Sequence, residues 1–194
     1  MIRRFIPLGL FLSLAISAAI TARADFDAGL DAYAKEDFDA AFREWLPAAK
    51  GGDPNSQQML GFLYARGRGV EKNVPEAVKW WRKAAEQGHA PAQFTLGNLY
   101  RNGIGIAKDE KEAVKWISRA ADGGFADAQY LLGILHARGE GVERDLVKSY
   151  MYLDMAAEQK GLEPGALWGA ITPYLSPAEI REAGRLIRKW RDKP

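Results

Sequence analysis

The sequence predicts an all-α fold, an α-solenoid of stacked helical hairpins, and three observations carry that prediction. The 194-residue chain falls into register with itself at a shift of 36 residues. Within each copy, apolar residues recur at the three- and four-residue spacing of a helix with one buried face. Glycines and short polar residues stand where each helix should stop and the next begin. A fixed period of this size means supersecondary units that cannot bury their apolar faces alone and stack to do so.

The chain opens on Met1, Ile2, Arg3 and Arg4, continues uncharged from Phe5 to Ala22, and reaches the small-x-small run Ala22-Arg23-Ala24. A basic start, an apolar stretch and a small-residue exit form the pattern of a secretory signal peptide over residues 1–24, cleaved after Ala24. The expected location is therefore periplasmic or secreted. A retained membrane anchor is the other reading, against which stand Pro7, Gly9, Ser13 and Ser17 and the lack of an aromatic belt or a basic stop downstream. After cleavage no stable membrane insertion is expected.

Removing Arg3, Arg4 and Arg23 from 27 basic residues leaves 24 against 25 acidic ones, a formal charge of −1. The isoelectric point near 8.8 thus owes much to the leader, and no nucleic-acid footprint remains. The chain has no cysteine, so no disulfide staples the fold and no lipoprotein thiol exists. With only two histidines, it also lacks a ligand set for zinc, and neither a metal nor a cofactor is expected.

The repeats supply the main elements. Gly61, Gly97 and Gly133 align, as do Gly67, Gly103 and Gly139, and Gly69, Gly105 and Gly141. Gln57, Gln93 and Gln129 match, with Trp80, Trp116 and Tyr152 and the pairs Ala84-Ala85, Ala120-Ala121 and Ala156-Ala157. In the second copy Ala92, Leu96, Leu99 and Tyr100 form the stripe of a first helix, which Gly103 stops. Asp109 opens the second helix as its N-cap, with Glu112 placed for a capping box. Asn73 with Glu76 repeats this pattern in the first copy, and Asp145 supplies the cap in the third.

Gly61, Gly97 and Gly133 fall inside first helices, where glycine costs about 1 kcal/mol relative to alanine. Close approach of the paired helix offsets such a cost, with the bulky Trp80, Trp116 or Tyr152 filling the vacated space. A local kink is the alternative.

The segments Leu-Gly-x-x-Tyr, Gly-x-Gly-Val and Ala-Val-Lys-Trp-Trp-x-Lys-Ala-Ala-Glu-Gln-Gly resemble Sel1-like repeats, in three copies over 55–90, 91–126 and 127–162. The third departs from the pattern with His136 in place of Tyr64 and Tyr100, and Lys160 in place of Gly88 and Gly124, as if its end were remodelled to meet a C-terminal cap. Residues 25–54 resemble a shortened tetratricopeptide-like helical pair, with Asp37 as a cap and Trp45, Ala48 and Ala49 in register with Trp81, Ala84 and Ala85. Residues 163–194 form capping helices. There Ser176-Pro177-x-Glu179 is a capping box opening a helix to about Arg191, with Ile180, Ala183, Ile187 and Trp190 as its buried stripe. The resemblance implies a right-handed superhelix and a protein-binding adaptor for a protein or peptide in signalling or assembly.

Catalytic candidates are few. His89 lies in a Gly-His-Ala loop and reads as a solvated surface residue, while His136 fills a tyrosine's half-buried place. The Gly-x-Gly loops follow helices where a phosphate-binding turn would follow a strand, so they read as helix terminators. Asp109, Glu110, Glu140 and Glu143 fall at caps or in open loops, and nothing encloses them. Arg185, Arg188, Lys189, Arg191 and Lys193 cluster on the last helix. There they either complement the helix dipole or meet an acidic lipid or partner. The protein is therefore expected not to be an enzyme. The rival class is a cell-wall or β-lactam-directed hydrolase, since cysteine-rich Sel1-like proteins have been linked to β-lactams, and a membrane-tethered regulator is a third reading.

Positions that vary between copies mark a candidate partner surface. On the first helices these are Gln58, Phe62 and Arg66, then Phe94, Asn98, Arg101 and Asn102, then Tyr130, Ile134 and Arg138. Their i, i+4, i+7, i+8 spacing gives each helix one shared face, and stacking would align the faces into one concave surface. Packing of Phe94, Tyr130 and Ile134 between units is the alternative.

Overall fold

A computed structural model describes residues 26–161 and 166–192. Helix α1 runs through residues 26–34. It is followed by α2 (Phe38–Lys50), α3 (Pro54–Arg66), α4 (Val74–Glu86), α5 (Ala90–Asn102), α6 (Glu110–Asp122), α7 (Ala126–Arg138) and α8 (Leu146–Lys160). The short α9 (Ala166–Ile171), a 3-10 turn at Thr172–Tyr174 and α10 (Pro177–Arg191) close the chain. The described residues contain no strand, and the fold is an all-α solenoid of helical hairpins. They form two compact units, divided inside α4 between Trp80 and Trp81. The leader at 1–24 lies outside the described residues.

The first unit is built on Trp45, which is fully buried with Ala41, Ala49, Leu60 and Leu63 and surrounded by Phe26, Tyr33, Phe42 and Tyr64. Its indole N–H donates to the Phe26 carbonyl at 3.1 Å. A side chain at Gly29 would collide with that indole, so the glycine is what lets α1 and α2 meet. Asp37 caps α2 by accepting from the Ala40 N–H, and Asp53 caps α3 by accepting from that of Ser56.

The second unit repeats the arrangement. Ala113, Ile117, Ala120 and Ala121 of α6 pack with Ala128, Leu132 and Leu135 of α7, and Phe94, Tyr100, Phe125 and Tyr152 surround them. Ala183 and Ile187 of α10 close on Met151 and Met155 of α8. The box at Ser176 and Glu179 forms in both directions. Those expected at α4 and α6 form in one direction only: Asn73 and Asp109 cap the Glu76 and Glu112 N–H groups, but both glutamates turn to Lys79 and Lys115. An i,i+3 lysine competes for the carboxylate that a capping box needs.

Two of the intrahelical glycines, Gly97 and Gly133, do mark close helix contacts, but with different partners from those expected. A Cβ at Gly97 would stand 2.6 Å from Ile117 Cγ1, and one at Gly133 would stand 2.7 Å from Leu153 Cγ. The helix that was expected to present Trp116 and Tyr152 is turned by one residue, so the next side chain enters the gap.

Candidate interaction face

The repeated glutamine positions one hairpin on the next. The Gln57 side-chain amide donates to the Ala49 carbonyl, Gln93 to Ala85 and Gln129 to Ala121, at 3.0, 3.0 and 3.2 Å. Each bond adds a second donor to a carbonyl at the end of a second helix, which already accepts from the N–H of Gly52, Gly88 or Gly124, and ties that helix to the one that follows. Gln129 also accepts from Gln159 at 2.9 Å. Sequence comparison showed these glutamines as a match without a role; the shared spacing of eight residues from the second alanine of each Ala-Ala pair was the available signal.

The Gly-x-Gly loops do more than end helices. Gly139 is the left-handed terminator of α7, but Gly141, at φ 69°, packs its α-carbon onto the Glu110 carbonyl, where a Cβ would stand 2.5 Å away. Gly69 meets the Phe38 carbonyl in the same way in the first unit. In these two loops the second glycine therefore seats the loop on the start of the second helix of the preceding hairpin.

With the hairpins so held, the varying residues fall as follows. In the first unit Gln58 is buried, at 7% exposure, so it does not belong to an accessible face. Phe62 is half-buried beneath the Arg66 guanidinium, 5.8 Å from the ring centroid, and Arg66 is exposed. In the second unit Phe94 is half-buried and meets Phe125 edge-on, with centroids 5.4 Å apart. This is the inter-hairpin packing left open above, and it removes most of the Phe94 ring from the face. Asn98 donates to the Phe94 carbonyl of its own helix at 3.1 Å. Asn102 is exposed.

Arg101 lines a small crevice with Glu110, Leu135 and Glu140. Its Nε is buried there without a hydrogen-bond partner. Beside it, Lys108, Lys111, Gly139, Val142 and Glu143 line a broad open groove of about 720 Å³. On α7, Tyr130 is 47% exposed, Ile134 is half-buried, and Arg138 is exposed with a 3.4 Å ion pair to Glu140. Tyr130, Ile134 and Arg138 thus share an accessible stripe, and Arg101 brings the end of α5 to the loop after α7.

Among the described residues the histidines stand singly, at a helix cap or in the core. His136 is buried, stacked on Tyr152 with centroids 5.9 Å apart, and its Nδ1 lies 3.4 Å from the Glu143 carbonyl. Burial lowers its pKa, with the nearby Lys148 adding to the effect. Burial raises the Tyr152 hydroxyl to about 12, aided by Asp122. Asp145 is pulled down despite its burial by hydrogen bonds from Lys148, as befits a cap. His89 stands at the N-cap of α5 without a side-chain capping bond. Among the described residues no group of histidines and carboxylates is placed to hold a metal ion.

Stacked helical hairpins define the class of helical-repeat proteins. The Sel1 repeat model matches residues 54–89, 90–125 and 126–161, and the chain belongs to the Sel1 repeat family. Family members generally act as protein-interaction scaffolds and are typically not enzymes. A Sel1 repeat protein from Oxalobacter formigenes is 37% identical over 69% of this chain and 55% of its own length, with a TM-score of 0.66. A protective antigen of uropathogenic Escherichia coli with the SLR fold is 32% identical, with a TM-score of 0.68, over 80% of this chain and 34% of its own. The chain therefore spans about half of one and a third of the other. Helicobacter pylori cysteine rich protein B shares the fold at 20% identity and a TM-score of 0.51, covering 63% of this chain and 87% of its own. No curated protein matches the chain.

Proposed function

We propose that the protein is an exported, periplasmic scaffold that binds a protein or peptide on the first-helix face of its repeats. The observation that carries this reading is Tyr130: an aromatic side chain 47% exposed in the middle of a helix, beside Ile134 and Arg138. Tyrosine and arginine beside an apolar residue are the side chains that dominate binding energy at protein interfaces. Membership of the Sel1 family supports a protein partner, and the leader-like residues 1–24 support export. No helix among the described residues is long and apolar enough to cross a membrane.

A photoreactive phenylalanine analogue at position 130 tests the face directly in living cells. Position 130 should yield a discrete protein adduct, whereas position 115 on the exposed side of α6 should not. Equal labelling from both sites would remove the assignment. Sequencing the exported form should return Asp25-Phe26-Asp27; recovery of Met1 in a membrane-bound form would overturn the soluble periplasmic reading.

A further inference from the structure

We infer that the outer face of α10 docks on the surface of an anionic phospholipid bilayer. Ala183 and Ile187 hold the other side of this helix on Met151 and Met155. Arg181, Arg185, Arg188 and Lys189 are exposed, and their i, i+4, i+7, i+8 spacing sets them in one stripe about 12 Å long. Arg185 forms a bidentate pair with Glu182, and Arg191 pairs with Glu158 of α8. Arg181, Arg188 and Lys189 have no ion pair among the described residues. The helix has five basic and two acidic side chains, a charge of +3, in a chain whose residues 25–194 sum to −1. The positive charge is therefore segregated onto one terminal face.

The form of the stripe selects the partner. It is straight, lies on a convex helix and holds no large apolar or aromatic side chain. Such a surface lacks the anchors of a protein interface and the stacking platforms of a single-strand binder. A plane of phosphates asks only for a line of cations able to reach it together, each basic residue strengthening adsorption about fivefold. Tyr174, 74% exposed three residues before α10, adds an amphipathic ring of the kind found at headgroup depth. The inference does not depend on the first-helix face.

Co-sedimentation of the full chain with phosphatidylglycerol vesicles, against phosphatidylcholine vesicles, tests it. Residues 5–22 contribute equally in every variant, so differences between variants isolate α10. The triple variant R181Q/R188Q/K189Q should bind phosphatidylglycerol on the order of 100-fold more weakly, and added salt should erase the difference. Glu182→Gln, which releases Arg185, should strengthen binding, whereas Arg43→Gln on α2 should leave it unchanged. The variants should melt like the wild type, since none of them alters a buried side chain. Undiminished binding of the triple variant overturns the proposal, as does a wild type that ignores phosphatidylglycerol vesicles while retaining polyglutamate.

Discussion

At Gly97 a missing side chain decides how two helices meet. A Cβ there would stand 2.6 Å from Ile117 Cγ1 and 3.1 Å from the Ala113 carbonyl. Alanine gains about 1 kcal/mol of helix propensity over glycine, but overpacking costs about 1–3 kcal/mol, so Gly97→Ala should lower stability in urea melts. Gly184→Ala in α10 should do the reverse, because its nearest neighbour, Arg188, is 3.7 Å away and ordinary contact suffices. Equal effects at the two glycines would refute the close-contact account. His136 yields a second residue-scale expectation. Its folded pKa lies below the unfolded value of about 6.5. The stabilisation is therefore complete above that pH and is lost as pH falls toward the folded value. Melts at pH 7.5 and 5 should show this loss in the wild type and a smaller one in His136→Tyr. Both sites were legible in the repeat, Gly97 as a recurring glycine inside a helix and His136 as a departure from the tyrosine of the other copies. The partners of the glycines were not, since one residue of helix rotation exchanges Trp116 for Ile117 without altering the repeat.

At the scale of the helix, the exposed stripe of α7 was legible because positions that vary between copies fall at helical spacing. Spacing alone could not show which of them neighbouring hairpins cover. Gln58 is buried, and Phe94 turns to Phe125, a residue at the junction with the next hairpin. Phe94 and Tyr130 occupy equivalent positions in the repeat yet should behave oppositely. Phe94→Ala should cost about 2 kcal/mol of stability, less than a fully buried phenylalanine. Tyr130→Ala should change stability by no more than about 0.5 kcal/mol, but should weaken partner binding about thirtyfold, the loss expected of an anchor worth ~2 kcal/mol. Melting and binding must be measured on each single variant. A Tyr130→Ala protein with normal binding would move the site to another face.

Across the whole molecule, the fold follows from one hairpin copied at constant period, and its ends are where that rule needs help. In the second unit α8 would leave Met151 and Met155 exposed without α10. The polar outer side of α10 and its reciprocal cap at Ser176 and Glu179 end the stack. Their sequence signature was plain, because a capping box, proline and helical stripe coincide over residues 176–190. The repeat pattern also left the remodelling at Lys160 readable: α8 runs two residues longer than α6, and Lys160 reaches Asp127. Deleting residues 176–194 should therefore uncover side chains worth about 1.5–3 kcal/mol each, a large share of the roughly 5–15 kcal/mol that holds a domain together. Solenoid stability is a sum of local and nearest-neighbour contributions, so the loss should be graded along the chain. Hydrogen exchange on the truncated chain should show α8 losing protection first and α7 less, with α5 and α6 closest to the full-length values. A uniform loss across all four helices would mean that the second unit melts as one cooperative body, and unchanged protection in α8 would mean that α10 is not its cap.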